Sequence, residues 1–173
     1  GLGILTFGSF LLLQVPSVQD QLLENAIPNL VKDNMPKEDA LSAIVCGSRS
    51  PLPHSSRDEA CILVIAGKNI YVIDTGAGSA NNVNQWTIPA NRIKAVLLTH
   101  LHSDHIADYP CFLMTMFDQS VGKENVLNVY GPPPMCDLHD RLWSQEQGVF
   151  WYDVSARINH PMSIHAYHAR GGE

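Results

Sequence analysis

At 173 residues and 19.1 kDa, with 45% apolar residues, the chain has the length of one domain and enough apolar content for a real core. A charged fraction of 16% argues against disorder, and a net charge of -6 with no basic run argues against a protein that holds nucleic acid mainly through phosphate contacts. Cys46, Cys61, Cys111 and Cys136 are widely spaced and form no Cys-x-x-Cys pair, which argues against a zinc ribbon. They suit one or two disulfides in an exported protein and buried thiols in a cytosolic one, with the pairing open.

The chain begins at Gly1 rather than Met and reads as a processed product or a fragment. Gly3–Leu13 is apolar but too short for a transmembrane helix, so no stable membrane span is expected. It reads equally as the remnant of a signal peptide or as an ordinary buried strand or helix, and export, for example to a periplasm, is slightly favoured over the cytoplasm. Gln19–Lys32 repeats apolar residues at three-to-four spacing and predicts a helix that Pro28 kinks. Residues 1–40 are taken as an N-terminal segment and 41–173 as the domain.

Leu41–Cys46 predicts a first strand, and Gly47–His54 a loop punctuated by Gly and Pro. Ala60–Ala66 and Ile70–Asp74 predict two strands joined by Gly67-Lys68-Asn69, a hairpin signal. Gly76–Asn84 is small and polar and reads as a loop. Arg92–Leu98 is an apolar strand, and Ala107–Phe117 a helix that tolerates Pro110 in its first turn. Val126–Tyr130 predicts a further strand and Asp137–Glu146 a further helix. Hairpin-joined strands followed by helix and strand alternation fit an α/β sandwich.

The densest chemistry is Thr99-His100-Leu101-His102-Ser103-Asp104-His105, placed directly after the apolar strand. His100 and His102 are two residues apart, so in extended backbone their imidazoles point the same way, while Asp104 and His105 follow where the chain can turn. Neutral imidazole and carboxylate together suit Zn²⁺ or a similar divalent ion. So many ligand-type residues on one short loop are read as a metal site.

His100-Leu101-His102-Ser103-Asp104-His105 resembles the H-x-H-x-D-H signature of the metallo-β-lactamase-fold hydrolases. Ile70–Gly76, ending in Asp74-Thr75-Gly76, resembles the strand that precedes that signature. Val129-Tyr130-Gly131-Pro132-Pro133 resembles a stretch of the ribonuclease Z-like branch, which also holds arylsulfatases and phosphodiesterases. The resemblance implies an α/β fold, a metallo-β-lactamase-type αββα sandwich of which this chain carries the first half. It further implies that His100 and His102 help bind one metal ion and Asp104 and His105 a second, Zn²⁺ with Mn²⁺ or Fe as alternatives. Asp104 would orient the nucleophile or take its proton. Asp74 would not touch the ions but stiffen the motif loop from behind.

Members of that family complete their site with later residues, which lie beyond Glu173. His160, His165 and His168 match none of those contexts and read as surface or structural histidines. His139, between Asp137 and Asp140, is expected to be solvated, and His54 is a candidate for the border of the cleft. The expected function is hydrolysis of a phosphodiester or sulfate ester by a metal-bound hydroxide, with a small-molecule ester favoured over RNA. The alternative is a non-catalytic metal- or partner-binding half-domain that works with a second chain, a further copy, or the missing C-terminal half.

Overall fold

Gly67 takes a left-handed turn, φ 57°, and that turn sets the register of the sheet. In the computed structural model, which describes residues 14–19, 21–22, 35–36, 38–89, 92–119, 127–145, 147–157 and 170–172, it joins β2 (Cys61–Ala66) to β3 (Asn69–Ile73). β1 (Leu41–Gly47) pairs antiparallel with β2, and β2 with β3. From there the direction changes: β3, β4 (Ile93–Leu97), β5 (Asn128–Tyr130) and β6 (Arg170–Gly172) pair in parallel, giving a six-stranded sheet in sequence order. Parallel neighbours need crossovers, and helices supply them. These are α1 (Ser79–Gln85), α2 (Ser103–Ile106), α3 (Tyr109–Gln119), α4 (Met135–Trp143) and α5 (Trp151–Arg157).

The core lies on one face of the sheet. Leu63, Ile65, Ile70, Val72, Val96 and Val129 alternate inward along β2 to β5 and meet Ala80 and Val83 of α1 and Tyr109, Phe112, Leu113, Met116 and Phe117 of α3. The opposite face is apolar too, but its β1–β2 edge is open: Leu41, Val45 and Ile62 are 77%, 59% and 38% exposed. A disulfide joins Cys46 to Cys61 across that edge, while Cys111 and Cys136 are free thiols.

Two compact units divide the chain, Gly1–Lys32 and Asp33–Glu173. Residues 35 and 36 fall in the second because the buried Arg92 guanidinium donates to the Met35, Pro36 and Gly67 carbonyls, and its Nε to that of Lys68. In the first unit, residues 16–19 and 21–22 are helical. The apolar Gly3–Leu13, the rest of the helix expected over Gln19–Lys32, and His160, His165 and His168 lie outside the described residues. None of the helices among the described residues is long and apolar enough to cross a membrane.

One expected loop is a helix. Ser79–Gln85, sequence SANNVNQ, is poor in strong helix formers, so local propensity alone favours a turn. Tertiary contacts reverse that preference: the Asp108 carboxylate accepts from the Gly78 and Ala80 amides, at 2.8 and 3.0 Å. Asn82 Nδ2 donates to the Cys46 carbonyl and to Asp58 Oδ2. Ser79, Ala80 and Val83 then form the buried face.

Candidate metal centre

The parallel strands β3, β4 and β5 end on the same edge, the side of an α/β sheet where ligands collect. Asp74 follows β3, Thr99 to His105 follow β4, and Gly131 to Pro134 follow β5. Asp74 is held at φ 59°, a costly conformation for a residue with a Cβ, and its amide donates to the Leu97 carbonyl. That posture turns its carboxylate onto the motif loop. It accepts from the Thr99 amide at 2.7 Å, from the Thr99 hydroxyl at 2.8 Å and from His105 Nδ1 at 2.8 Å.

The two residues after Asp74 clamp the same loop through their backbones. The Thr75 amide donates to the His105 carbonyl, and the Thr75 carbonyl accepts from the Asp108 amide. Gly76 sits so close to the Asp104 carbonyl oxygen that a Cβ there would overlap it. The Ala77 amide donates to Glu59 Oε2, and Glu59 Oε1 pairs with Arg49 at 3.1 Å.

These bonds assign the imidazole tautomers. A carboxylate only accepts, so His105 Nδ1 carries a proton and donates, and Nε2 is the nitrogen that faces Asp104. The single Thr99 hydroxyl proton goes to Asp74, so the 3.1 Å contact with His100 Nδ1 has that nitrogen donating. One ligand atom each of His100, Asp104 and His105 lies within 4.8 Å of the others. His105 Nε2 is 3.5 Å from Asp104 Oδ2, and the His100 and His105 rings are 3.9 Å apart. Asp104 is buried, 8% exposed. Two imidazoles and one carboxylate converging within 4.8 Å are a donor set that fits Zn²⁺ or a similar divalent ion.

His102 stands outside that group. It caps the start of α2 with extended backbone and an exposed side chain, its ring edge-on to His100 at 4.7 Å. His54 lies in the exposed loop after β1, where its Nδ1 accepts from the Ser56 amide, and it is not part of the ligand group.

His139 corrects an expectation of solvation: it is 7% exposed. α4 turns Met135, His139 and Trp143, four residues apart, to one buried stripe. His139 Nδ1 and the Tyr109 hydroxyl are hydrogen-bonded at 2.7 Å. Burial pulls His139 below the usual imidazole range against a smaller upward pull from Asp140, and burial pushes the Tyr109 hydroxyl far up. Asp108, which ties α1 to the motif segment, was not singled out from sequence; its only local signal is a position three residues past His105.

The family model for the metallo-beta-lactamase superfamily matches residues 57–110. A ribonuclease Z of Mycolicibacterium gilvum is 32% identical over 121 residues, covering 69% of this chain and 41% of that protein. Another, from Mycobacterium bovis, is 30% identical over 138 residues, covering 75% and 48%. The chain therefore spans less than half the length of these curated relatives.

Among solved structures, a long form RNase Z from yeast superposes with TM-score 0.57 at 17% identity, over 78% of this chain and 18% of that one. The metallo-beta-lactamase fold protein YhfI from Bacillus subtilis does so with TM-score 0.52 at 21% identity, over 75% and 44%. Both likenesses show the fold. The curated names overturn the preference for a small-molecule ester, because these relatives are ribonucleases. That preference rests on the acidic net charge of -6 and on a possible export signal, neither of which reports the substrate directly.

Proposed function

This chain is a member of the metallo-β-lactamase superfamily, in its ribonuclease Z-like branch, and from that premise we propose that it carries the metal-binding motif of a hydrolase that cleaves a phosphodiester bond in RNA. The observation that carries the reading is the convergence of His100, Asp104 and His105 at the ends of parallel strands, with both imidazoles oriented through Asp74. His100 and His102 would hold one ion, and Asp104 and His105 a second. A divalent cation, when bound there, supplies Lewis-acid polarisation of the phosphate and acidifies a coordinated water.

The chain's own residues do the rest. Asp74 accepts from His105 Nδ1 and, through the Thr99 hydroxyl, orders His100, so both rings are held in place from their Nδ1 side. Asp104, buried beside them, is placed to orient the attacking water and take its proton. The clamp of Thr75 and Gly76 on the motif backbone fixes these groups before substrate arrives, which lowers the reorganisation the reaction requires.

The test is cleavage of a precursor tRNA and of bis(p-nitrophenyl) phosphate by the Zn²⁺- or Mn²⁺-loaded protein. Cleavage of the RNA that falls at least a hundredfold in Asp104→Asn supports the reading. Full metal occupancy without cleavage of either substrate overturns it and favours a non-catalytic metal-binding half-domain.

A further inference from the structure

A cavity of about 310 Å³ opens between the motif loop and α4, and nothing above uses it. Leu101 and Ile106 form one wall; Pro134, Asp137, Leu138 and Arg141 form the other. Leu101 lies between His100 and His102, and Ile106 follows His105, so the wall is built from the same short loop as the candidate ligands. A molecule seated in the cavity is held beside that loop.

We propose that this pocket receives the nucleoside next to the scissile phosphate, an inference that rests on the RNA hydrolase reading. Apolar walls of Leu101, Ile106, Pro134 and Leu138 suit the flat faces of a nucleobase, whose unstacked form is how single-stranded RNA is recognised. The polar groups are one acceptor and one donor: the Asp137 carboxylate matches base N–H groups, and the Arg141 guanidinium matches a base carbonyl or a phosphate at the rim. The presence of Asp137 speaks against an anion in the interior and for a neutral base there, with the phosphate outside. The volume is at the lower end of ligand pockets, which run roughly 300–1,000 Å³.

The pocket is also open in a useful direction. Asp137 and Arg141 border a second groove of about 640 Å³ that continues along α4 past Asp140, Ser144 and Gln147. Arg141 stands at the junction of the two.

The probe is cytidine or adenosine 5′-monophosphate titrated into the 173-residue protein labelled at its methyl groups, with phenyl phosphate as the aromatic control. Saturable shifts at the Leu101, Ile106 and Leu138 methyls are expected for the nucleotides. Leu138→Trp, which fills the pocket, and Arg141→Ala, at an exposed side chain that the fold does not need, should each weaken binding at least tenfold. No shifts, unchanged affinity in Arg141→Ala, or phenyl phosphate binding as tightly as the nucleotides overturns the proposal. Hydrolysis of bis(p-nitrophenyl) phosphate without nucleotide shifts counts against the pocket alone. Nucleotide shifts without any hydrolysis count against the hydrolase reading alone.

Discussion

Asp74 and His105 are 31 residues apart and joined at 2.8 Å, carboxylate oxygen to ring Nδ1. The bond decides which nitrogen of His105 faces the candidate metal, and through Thr99 the same carboxylate reaches His100. An acidic residue at the end of β3 thus governs two imidazoles at the end of β4.

Asp74→Asn removes the charge and places an amide where His105 Nδ1 donates. Loss of an oxygen or nitrogen partner behind a ligating histidine costs about 10- to 100-fold in metal affinity. The expected outcome is a Zn²⁺ affinity reduced by that factor, measured by competition with a chromogenic chelator. Thr99→Val, which removes the hydroxyl between Asp74 and His100 Nδ1 but leaves the Asp74–His105 bond, should lose less. Equal affinities in all three proteins would refute the orienting role.

Gly76→Ala places a methyl on the Asp104 carbonyl oxygen, a backbone atom that cannot swing aside. The motif loop must shift, so stability should fall by about 1–3 kcal/mol, the usual range for overpacking, and metal affinity should fall with it. Gly131→Ala is the comparison. Its Cβ would meet Met135 and Leu98 side-chain atoms at 3.2–3.3 Å, and flexible Met135 can yield. Urea unfolding and metal titration of the two variants separate a steric clamp from a general intolerance of added volume.

Asp108→Ala removes the carboxylate that accepts from the Gly78 and Ala80 amides at the start of α1. Lost caps of this kind cost about 0.5–2 kcal/mol. The Asp108 amide still donates to Thr75, so metal affinity should hold while the denaturation midpoint falls. A drop in metal affinity as large as that of Asp74→Asn would show that the two effects are one.

The Tyr109–His139 pair predicts a pH dependence. The folded His139 titrates below its ordinary value, so the unfolded chain binds more protons in that window and stability falls as the pH drops below about 6.5. Tyr109 titrates above its ordinary value, so its contribution is present below about pH 10 and is lost as the pH rises past it. Tyr109→Phe leaves His139 Nδ1 buried without its hydrogen-bond partner, at a cost of about 1–3 kcal/mol. The Tyr109→Phe, His139→Leu double variant should have a flatter acid limb in thermal unfolding from pH 5 to 8.

Much of this molecule is legible along the chain because the relevant physics is local. Two apolar runs joined by Gly67-Lys68-Asn69 predict the β2–β3 hairpin, and the strand before Thr99 and the helix holding Pro110 are found within two residues of their predicted bounds. The histidine motif announces itself because its ligand-type residues lie six positions apart at most. What the tertiary structure alone decided are relationships between distant segments. SANNVNQ becomes a helix because Asp108, far along the chain, accepts from its first amides. His139 turns inward because Tyr109 offers a buried hydroxyl, although Asp137 and Asp140 beside it look like a solvated face. The ring orientations of His100 and His105 depend on one carboxylate arriving from β3, which reaches His100 through Thr99. Periodicity reports which face of an element is apolar; it carries no information about which polar group a fold will bring across to meet it.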